Sequence, residues 1–280
     1  MRRLRFERRA NHEIIRCSRL PRPRSVDLPD RETKGASNSG WTIELAGNAV
    51  SAATVKSLQE IDAAQARAEE KAAFLLRLRA SGLRDLDLLR ALEKVPREIF
   101  VPHRLVDLAR RDLALPIGCG QTLTEPSLIA RMIGALALAR QHRVLEIGTG
   151  SGYATAVLSE IVDEVVSIER FQTLAIAARL RLQRLGRTNA TIIFADGLAI
   201  STEAGPFDRI LVHGSLAEVP QRFVDLLAEG GRIVMGRQES GSSRRQMLIL
   251  VRRAEDGSLV ETEVCACRLQ ALLPGVAKIL

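Results

Sequence analysis

The chain has 280 residues, of which 46% are apolar, and it carries a formal net charge of +8 at pH 7. This apolar content is enough for one large core with an appendage. Residues 1–24 hold nine arginines against Glu7 and Glu13, a balance of +7, so the basic character belongs mostly to the N-terminus. The folded body therefore gives no support for a nucleic-acid groove, and we expect no nucleic-acid partner.

The sequence also lacks the features of membrane and metal proteins. No apolar run approaches the length of a transmembrane helix, and no apolar stretch typical of a secretory signal begins the chain. The four cysteines do not have zinc-like spacing, and no metal is expected: Cys17, Cys119, Cys265 and Cys267. Reduced thiols are typical of cytosolic proteins, so we expect a cytoplasmic protein. We also expect it to be a monomer.

Residues 1–57 alternate charge with chain breakers, among them Pro21, Pro23 and Pro29. This composition predicts a basic, disordered extension, followed by one folded domain over residues 58–280. We favour a solvated arm, or a translation start placed too far upstream, over a specific binding element for this extension.

The first predicted elements of the domain are helical. Residues 59–80 form a helix that stops at Ser81 and Gly82, and Asp85 caps a second helix that ends before Pro96. Residues 96–126 look irregular, and residues 127–138 are a helix that leads into a buried strand.

Residues 144–152 contain the most informative motif, Val-Leu-Glu-Ile-Gly-Thr-Gly-Ser-Gly. A buried strand ends at Glu146, and three glycines two residues apart (Gly148, Gly150, Gly152) lead into an amphipathic helix. Such a turn lets a ligand approach bare backbone at the carboxyl edge of a sheet. The dinucleotide-binding fingerprint G-x-G-x-x-G would need a glycine at position 153, where this chain has Tyr153. The observed spacing resembles instead motif I of the S-adenosylmethionine (AdoMet) methyltransferases. A tight turn without a ligand is the less favoured alternative.

Later strands also end in acids. Strands are predicted over residues 165–169, 191–194 and 207–212, with a helix between the first two; Glu169 ends the first and Asp196 follows the second. Either acid alone is as consistent with a solvated strand end as with a ligand, but together with Glu146 they predict a site on one sheet edge. Two more strands are predicted, over 231–235 and 246–251. The pattern indicates an α/β protein with a Rossmann-like fold, a mostly parallel twisted sheet flanked by helices.

Two sequence segments before the glycine motif indicate which methyltransferase family the chain resembles. Residues 95–101 are Val-Pro-Arg-Glu-Ile-Phe-Val, and residues 115–126 are Leu-Pro-Ile-Gly-Cys-Gly-Gln-Thr-Leu-Thr-Glu-Pro. Together with the glycine motif they closely resemble the protein-L-isoaspartate O-methyltransferase family over roughly residues 60–275. The resemblance implies methyl transfer from AdoMet to the α-carboxylate of L-isoaspartyl and D-aspartyl residues in damaged proteins and peptides, which starts their repair.

The resemblance also implies roles for individual residues. Thr124 takes the place of the family's active-site serine, and with Thr122 and Gln121 it forms the expected catalytic set. The residues expected to bind AdoMet are Glu146, Gly148, Thr149, Gly150, Gly152, Glu169 (ribose), Asp196 and Gly197 (adenine). The chemistry agrees, because an ionised carboxylate attacks a sulfonium methyl without a metal or a general base, and hydroxyls and amides suffice to orient it.

Three regions depart from the family pattern, all on its peptide side. Glu125 stands in place of glutamine, residues 213–216 read His-Gly-Ser-Leu, and residues 268–272 read Arg-Leu-Gln-Ala-Leu. His213 could face the substrate, although a structural role is favoured, and Cys119 is expected to be a packing residue and not a nucleophile. The alternatives are an AdoMet methyltransferase with another acceptor, and a noncatalytic AdoMet-fold protein whose basic tail binds a partner.

Overall fold

A computed structural model describes residues 52–238, 245–254 and 256–277 of the chain. Three helices come first: α1 (Ala52–Ala80), α2 (Leu86–Lys94) and, after the two-residue strands β1 (Leu115–Pro116) and β2 (Thr122–Leu123), α3 (Pro126–Ala135). The α/β body follows in this order: β3 (Arg143–Ile147), α4 (Tyr153–Ile161), β4 (Glu164–Glu169), α5 (Gln172–Arg184), β5 (Ala190–Phe194), β6 (Phe207–Leu216), α6 (Gln221–Asp225), β7 (Leu227–Gln238), β8 (Gln246–Arg253) and β9 (Leu259–Ala266).

The central sheet has seven strands in the order β5-β4-β3-β6-β7-β8-β9. The first five are mutually parallel, whereas β8 runs antiparallel to both of its neighbours. Successive residues of the central strands are buried on opposite faces: Val144 packs with one apolar core and Leu145 with the other. Both faces are covered, which is why these strands are almost continuously apolar in sequence.

The strand order places the functional edge. The chain moves outward from β3 to β4 and β5, then returns to add β6 on the other side of β3. In open α/β sheets, the crevice at such a reversal, outside the carboxyl ends of the strands, is where ligands bind. The glycine motif follows β3 directly and therefore lies in this crevice.

Most predicted elements are confirmed, and the differences have local causes. Asp85 caps α2 as predicted, because its carboxylate accepts hydrogen bonds from the amides of Asp87 and Leu88. The third helix ends at Ala135, before the predicted residue 138, and Ala137 has a positive φ of 46°. The first helix begins at Ala52, earlier than expected, and the predicted extension otherwise lies outside the described residues.

Strand β9 is absent from the sequence prediction. Nearly all of its side chains are exposed, including those of Leu259, Val260 and Val264. Its conformation is therefore set by pairing with β8 and not by burial of one face, so the alternation that identifies a strand is missing.

Candidate active site

A single cavity of about 370 Å³ lies at the carboxyl edge of the sheet. Nine predicted site residues line it: Gln121, Thr122, Thr124, Gly148, Thr149, Gly150, Glu169, Asp196 and Gly197. The two remaining ones, Glu146 and Gly152, lie behind its wall. The structure thus brings together residues that are far apart in the sequence.

The glycine motif needs its glycines for two reasons. Gly148, Gly150 and Gly152 have φ values of 91°, 56° and 89°, a region that side chains disfavour. At Gly152, moreover, a β-carbon would lie 3.0 Å from the Cβ of Ala178 on α5. Gly152 therefore permits close packing of α4 against α5 and has no place on the cavity surface.

Glu169 ends β4 and is 3% exposed. Its carboxylate accepts hydrogen bonds from the amides of Gly150 (2.7 Å) and Phe171 (2.8 Å). Burial raises the pKa of Glu169 above the ordinary carboxyl value, and these amide bonds partly oppose the shift. Because an ionised carboxylate offers about four lone-pair positions, it retains capacity for two hydroxyl donors from a ligand in the cavity.

Glu146 is completely buried and bonded only to protein groups. One of its oxygens, Oε2, accepts from the hydroxyls of Thr155 (2.5 Å) and Ser167 (2.7 Å), while Oε1 lies 2.9 Å from Nε2 of His213. Since Ser167 gives its proton to Glu146, the hydroxyl of Thr149, 2.5 Å from Ser167, must donate to Ser167. Glu146 therefore organises the motif from behind and does not reach the cavity.

Asp196 and Gly197 follow β5. The two oxygens of Asp196 accept from the amides of Leu198 (2.9 Å) and Gly275 (2.6 Å), so this acid fixes the C-terminal segment at the cavity mouth. At Gly197 a β-carbon would come within 2.5 Å of Cγ2 of Ile147, which also lines the cavity. A bare backbone is required there for the floor of the cavity to keep its shape.

The loop that carries Gln121, Thr122 and Thr124 forms the opposite wall. The guanidinium of Arg97 is 1% exposed and donates to the carbonyl of Thr124 (2.6 Å) and that of Ala109 (2.8 Å). It also stacks 4.6 Å from the ring centroid of Tyr153, in the helix after the glycine motif. Arg97 thereby fixes the hydroxyl-bearing loop to the cofactor side of the cavity.

The C-terminal segment, residues 267–277, connects this loop to the sheet. The side-chain amide of Gln270 donates to the carbonyl of Gly120 (3.0 Å), and the main-chain carbonyl of Gln270 accepts from the amide of Ser215 (2.9 Å) in β6. Gln270 lies in one of the regions that depart from the family pattern. Two of the three departing regions, residues 213–216 and 268–272, are therefore in contact with each other beside the cavity.

The three cysteines of the described residues lie between β1 and β2 (Cys119), in β9 (Cys265) and directly after β9 (Cys267). Cys119, Cys265 and Cys267 are unpaired thiols. Burial, with a smaller contribution from Cys265, raises the pKa of Cys267 to about 11, and burial also raises that of Cys119. Raised pKa values disfavour the nucleophilic thiolate, in agreement with a packing role for Cys119.

The described part of the chain has neither a metal-binding cluster nor a membrane-spanning helix. It contains no group of three or more His, Cys, Asp or Glu side chains that could hold a metal ion. Within the same residues, no helix has the length and apolar character needed to cross a bilayer.

The residues present fit AdoMet. The cavity volume falls within the range of small-molecule sites. At Gly150 the positive φ of 56° disfavours a side chain, so the loop presents bare backbone to the cavity at this point. The buried hydroxyl of Ser151, in the same loop and on the cavity wall, has no hydrogen-bond partner among the described residues.

Sequence reasoning missed several residues that shape the site. Arg97 was part of a recognised block without an assigned role, and Thr155 and Ser167 were not singled out. A polar residue inside an otherwise apolar strand, such as Ser167 in Val-Val-Ser-Ile, is the signal that could have indicated a buried network.

The chain is similar in sequence to one family of known proteins. The model of the family "Protein-L-isoaspartate(D-aspartate) O-methyltransferase (PCMT)" matches residues 69–275. Protein-L-isoaspartate O-methyltransferase 2 of Rhodopseudomonas palustris (strain HaA2) is 48% identical over 209 residues, which cover 75% of this chain and 95% of the relative. The protein-L-isoaspartate O-methyltransferase of Azorhizobium caulinodans is 42% identical over 216 residues, or 77% and 98% of the two chains.

Solved structures show the same architecture. A protein-L-isoaspartate O-methyltransferase superimposes with a TM-score of 0.64 at 30% identity, over 72% of this chain and 65% of its own. A Plasmodium falciparum protein, described as a methyltransferase of the same kind and solved with S-adenosyl-L-homocysteine, gives 0.62 at 24% identity, over 72% and 97%. The second likeness concerns the fold alone. With the family model matching most of its length, this chain belongs to the protein-L-isoaspartate (D-aspartate) O-methyltransferase family.

Proposed function

We propose that this protein transfers the methyl group of AdoMet to the α-carboxylate of L-isoaspartyl residues, and to the free side-chain carboxylate of D-aspartyl residues, in damaged proteins and peptides, and so starts their repair. The observation that carries the proposal is one cavity lined on one side by the glycine motif and the strand-end acids, and on the other by a loop of hydroxyls and amides. Membership of the family supports the same conclusion.

Each side of the cavity has its own task. Bound AdoMet supplies an electrophilic methyl group on a positively charged sulfur. Glu169 accepts the ribose hydroxyls, Gly148, Thr149 and Gly150 provide backbone close to the ligand, and Asp196 with Gly197 borders the adenine. Glu146 and Gly152 act from behind the wall, the first by holding Thr149 through Ser167.

On the acceptor side, Thr124, Thr122 and Gln121 orient the substrate carboxylate, which is already ionised and needs no base. Because Arg97 holds the carbonyl of Thr124, the loop does not have to rearrange when the acceptor arrives. Donors that are positioned in advance accelerate a reaction more than mobile ones do.

A second function is an AdoMet-dependent transfer to a different acceptor. It is favoured by one observation: Glu125 and His213, both departures from the family pattern, line the cavity itself.

We also propose a monomer that acts in the cytoplasm, without metal or nucleic acid, on the basis of the sequence composition and the unpaired thiols.

The test is radiolabelled methyl transfer to an isoaspartyl peptide beside the same peptide with a normal aspartyl residue. We expect label in the isoaspartyl peptide alone, released again by mild base because the product is an ester. Equal labelling of both peptides, or none by a protein that calorimetry shows to bind AdoMet, would favour the different acceptor.

A further inference from the structure

His213 forms a hydrogen-bonded pair with Glu146 at the cavity wall, and methyl transfer to a carboxylate gives His213 no task. The His213 side chain is 12% exposed and lines the cavity, and its Nε2 lies 2.9 Å from a fully buried carboxylate oxygen of Glu146. A histidine oriented by a buried carboxylate is the arrangement that accepts and returns protons in many active sites.

The surrounding contacts determine which ring nitrogen is available. An ionised Glu146 can only accept hydrogen bonds. Its Oε2 already accepts them from the hydroxyls of Thr155 and Ser167, and its Oε1 faces Nε2 of His213. Nε2 of His213 must therefore donate to Glu146, and in the neutral ring Nδ1 keeps the lone pair. His213 is thus held in the tautomer of a general base.

His213 and the two strand-end acids lie on opposite sides of β3 in the sheet. Glu169 and Asp196 follow β4 and β5 on one side of β3, whereas His213 belongs to β6 on the other side. Gln270 then connects β6 to the acceptor loop, through Ser215 at one end and Gly120 at the other. His213 therefore lines the cavity on the strand that Gln270 connects to the acceptor loop, next to Gly148 of the glycine motif.

The product has a proton to lose. In an isoaspartyl residue, the amide nitrogen of the following residue can attack the new α-methyl ester. A nitrogen–carbon bond forms, the bond from the ester carbon to the methoxy oxygen breaks, and a succinimide and methanol result. The amide proton has to leave the nitrogen and reach the departing methoxide, and a positioned base speeds such a transfer by roughly 10²–10⁴-fold.

We propose that the Glu146–His213 pair gives this protein a second activity, the closure of the methyl ester to the succinimide before the product leaves. Nδ1 of His213 takes the amide proton as the nitrogen–carbon bond forms and passes it to the methoxy oxygen. The second activity rests on the proposed function only for the supply of its substrate, the isoaspartyl methyl ester.

The test supplies that ester directly. A synthetic peptide with an isoaspartyl α-methyl ester is mixed with the full-length protein saturated with S-adenosylhomocysteine, so that no methyl transfer takes place. Chromatography with mass detection follows the ester, the succinimide and the hydrolysed acid. We expect succinimide to form roughly 100-fold faster than without protein, at the lower end of the range for a positioned general base.

Two variants identify the group responsible. His213→Gln keeps a donor that can reach Glu146 but has no basic nitrogen, and closure should return to the rate without protein. His103→Gln removes an exposed histidine outside the cavity and should close the ester as the unmodified protein does. Calorimetric binding of S-adenosylhomocysteine verifies that the His213 variant retains its cavity.

Three results would overturn the proposal: closure no faster with the protein than without it, equal closure by the His213→Gln variant that still binds S-adenosylhomocysteine, or accelerated hydrolysis to the acid in place of succinimide. Failure of the proposed function is recognised separately, as absent methyl transfer to the isoaspartyl peptide.

Discussion

Glu169 combines two demands that oppose each other. It must be buried to reach a ligand inside the cavity, and burial raises its pKa because the charged form loses solvation. It must also be ionised to accept hydrogen bonds from the hydroxyl groups of that ligand. The amides of Gly150 and Phe171 favour the ionised form, and they come from the glycine motif and from the residue that caps α5.

A pH dependence of AdoMet binding follows from this raised pKa. As the pH falls, Glu169 should gain its proton at a higher pH than an ordinary glutamate does, and AdoMet affinity should begin to fall there. In Glu169→Gln, affinity should be lower by about 1–3 kcal/mol at neutral pH and should change less on acidification. Calorimetric titrations between about pH 8 and pH 5 provide the measurement; parallel curves for both proteins would contradict the assignment.

The raised pKa of Glu169 also makes the free energy of unfolding depend on pH. A carboxyl whose pKa is higher in the folded than in the unfolded protein binds protons more tightly when folded. Its contribution therefore favours the folded state below its unfolded pKa and diminishes as the pH rises through the interval up to the folded value. Without ligand, the free energy of unfolding of Glu169→Gln should decline less over that interval, as urea titrations would measure.

Thr124 is the residue on which the acceptor assignment depends most. Thr124→Ser should stay active, because the hydroxyl remains and one methyl group leaves the pocket. Thr124→Val keeps the shape without the hydroxyl and should lower methyl transfer by roughly 10–1,000-fold. AdoMet affinity should change little in either variant, since Arg97 holds the carbonyl of residue 124 and not its side chain. A fully active valine variant would remove the hydroxyl from the mechanism.

Among elements, the contact between the end of β3 and the turn after β5 shapes the cavity floor. A methyl group at position 197 would overlap Ile147, whose neighbours at the end of β3 leave it little room to move. Gly197→Ala should therefore lower the free energy of unfolding by about 1–3 kcal/mol and weaken AdoMet binding.

Gly134→Ala is the matched control for this change. Position 134 lies inside α3, and an added β-carbon would meet its nearest neighbours at 3.7 and 3.8 Å, an ordinary contact distance. Alanine favours a helix over glycine by roughly 0.5–1 kcal/mol, so this variant should be as stable as the original protein or more so. Urea unfolding compares the two, and equal effects would mean that the floor adjusts freely.

On the scale of the whole molecule, the basic N-terminus should be dispensable. Residues 1–50 combine charge and chain breakers, and the family match begins only at residue 69. Deletion of residues 1–50 should leave AdoMet binding and the melting temperature nearly unchanged while lowering the isoelectric point. A truncated protein that melts far below the full chain would show that this segment stabilises the domain.

The sequence by itself determined the local features. Periodicity and cap residues predicted the helices, Asp85 included, and glycine spacing with the strand-end acids predicted the fold class and the cofactor edge of the sheet. The resemblance to a known family added the loop of Gln121, Thr122 and Thr124, and nine of the residues predicted in these two ways line the cavity. These predictions succeed because turn conformation, capping and burial of an apolar face act between near neighbours in the chain.

Only the tertiary structure decided how those parts meet. It placed Glu146 behind the cavity wall and paired its carboxylate with His213, which is 67 residues later in the chain. It also brought the guanidinium of Arg97 to the carbonyl of Thr124. It also formed β9 from a sequence without a buried face. Such contacts join residues far apart in the chain and depend on strand order and packing, so no local pattern of residues encodes them.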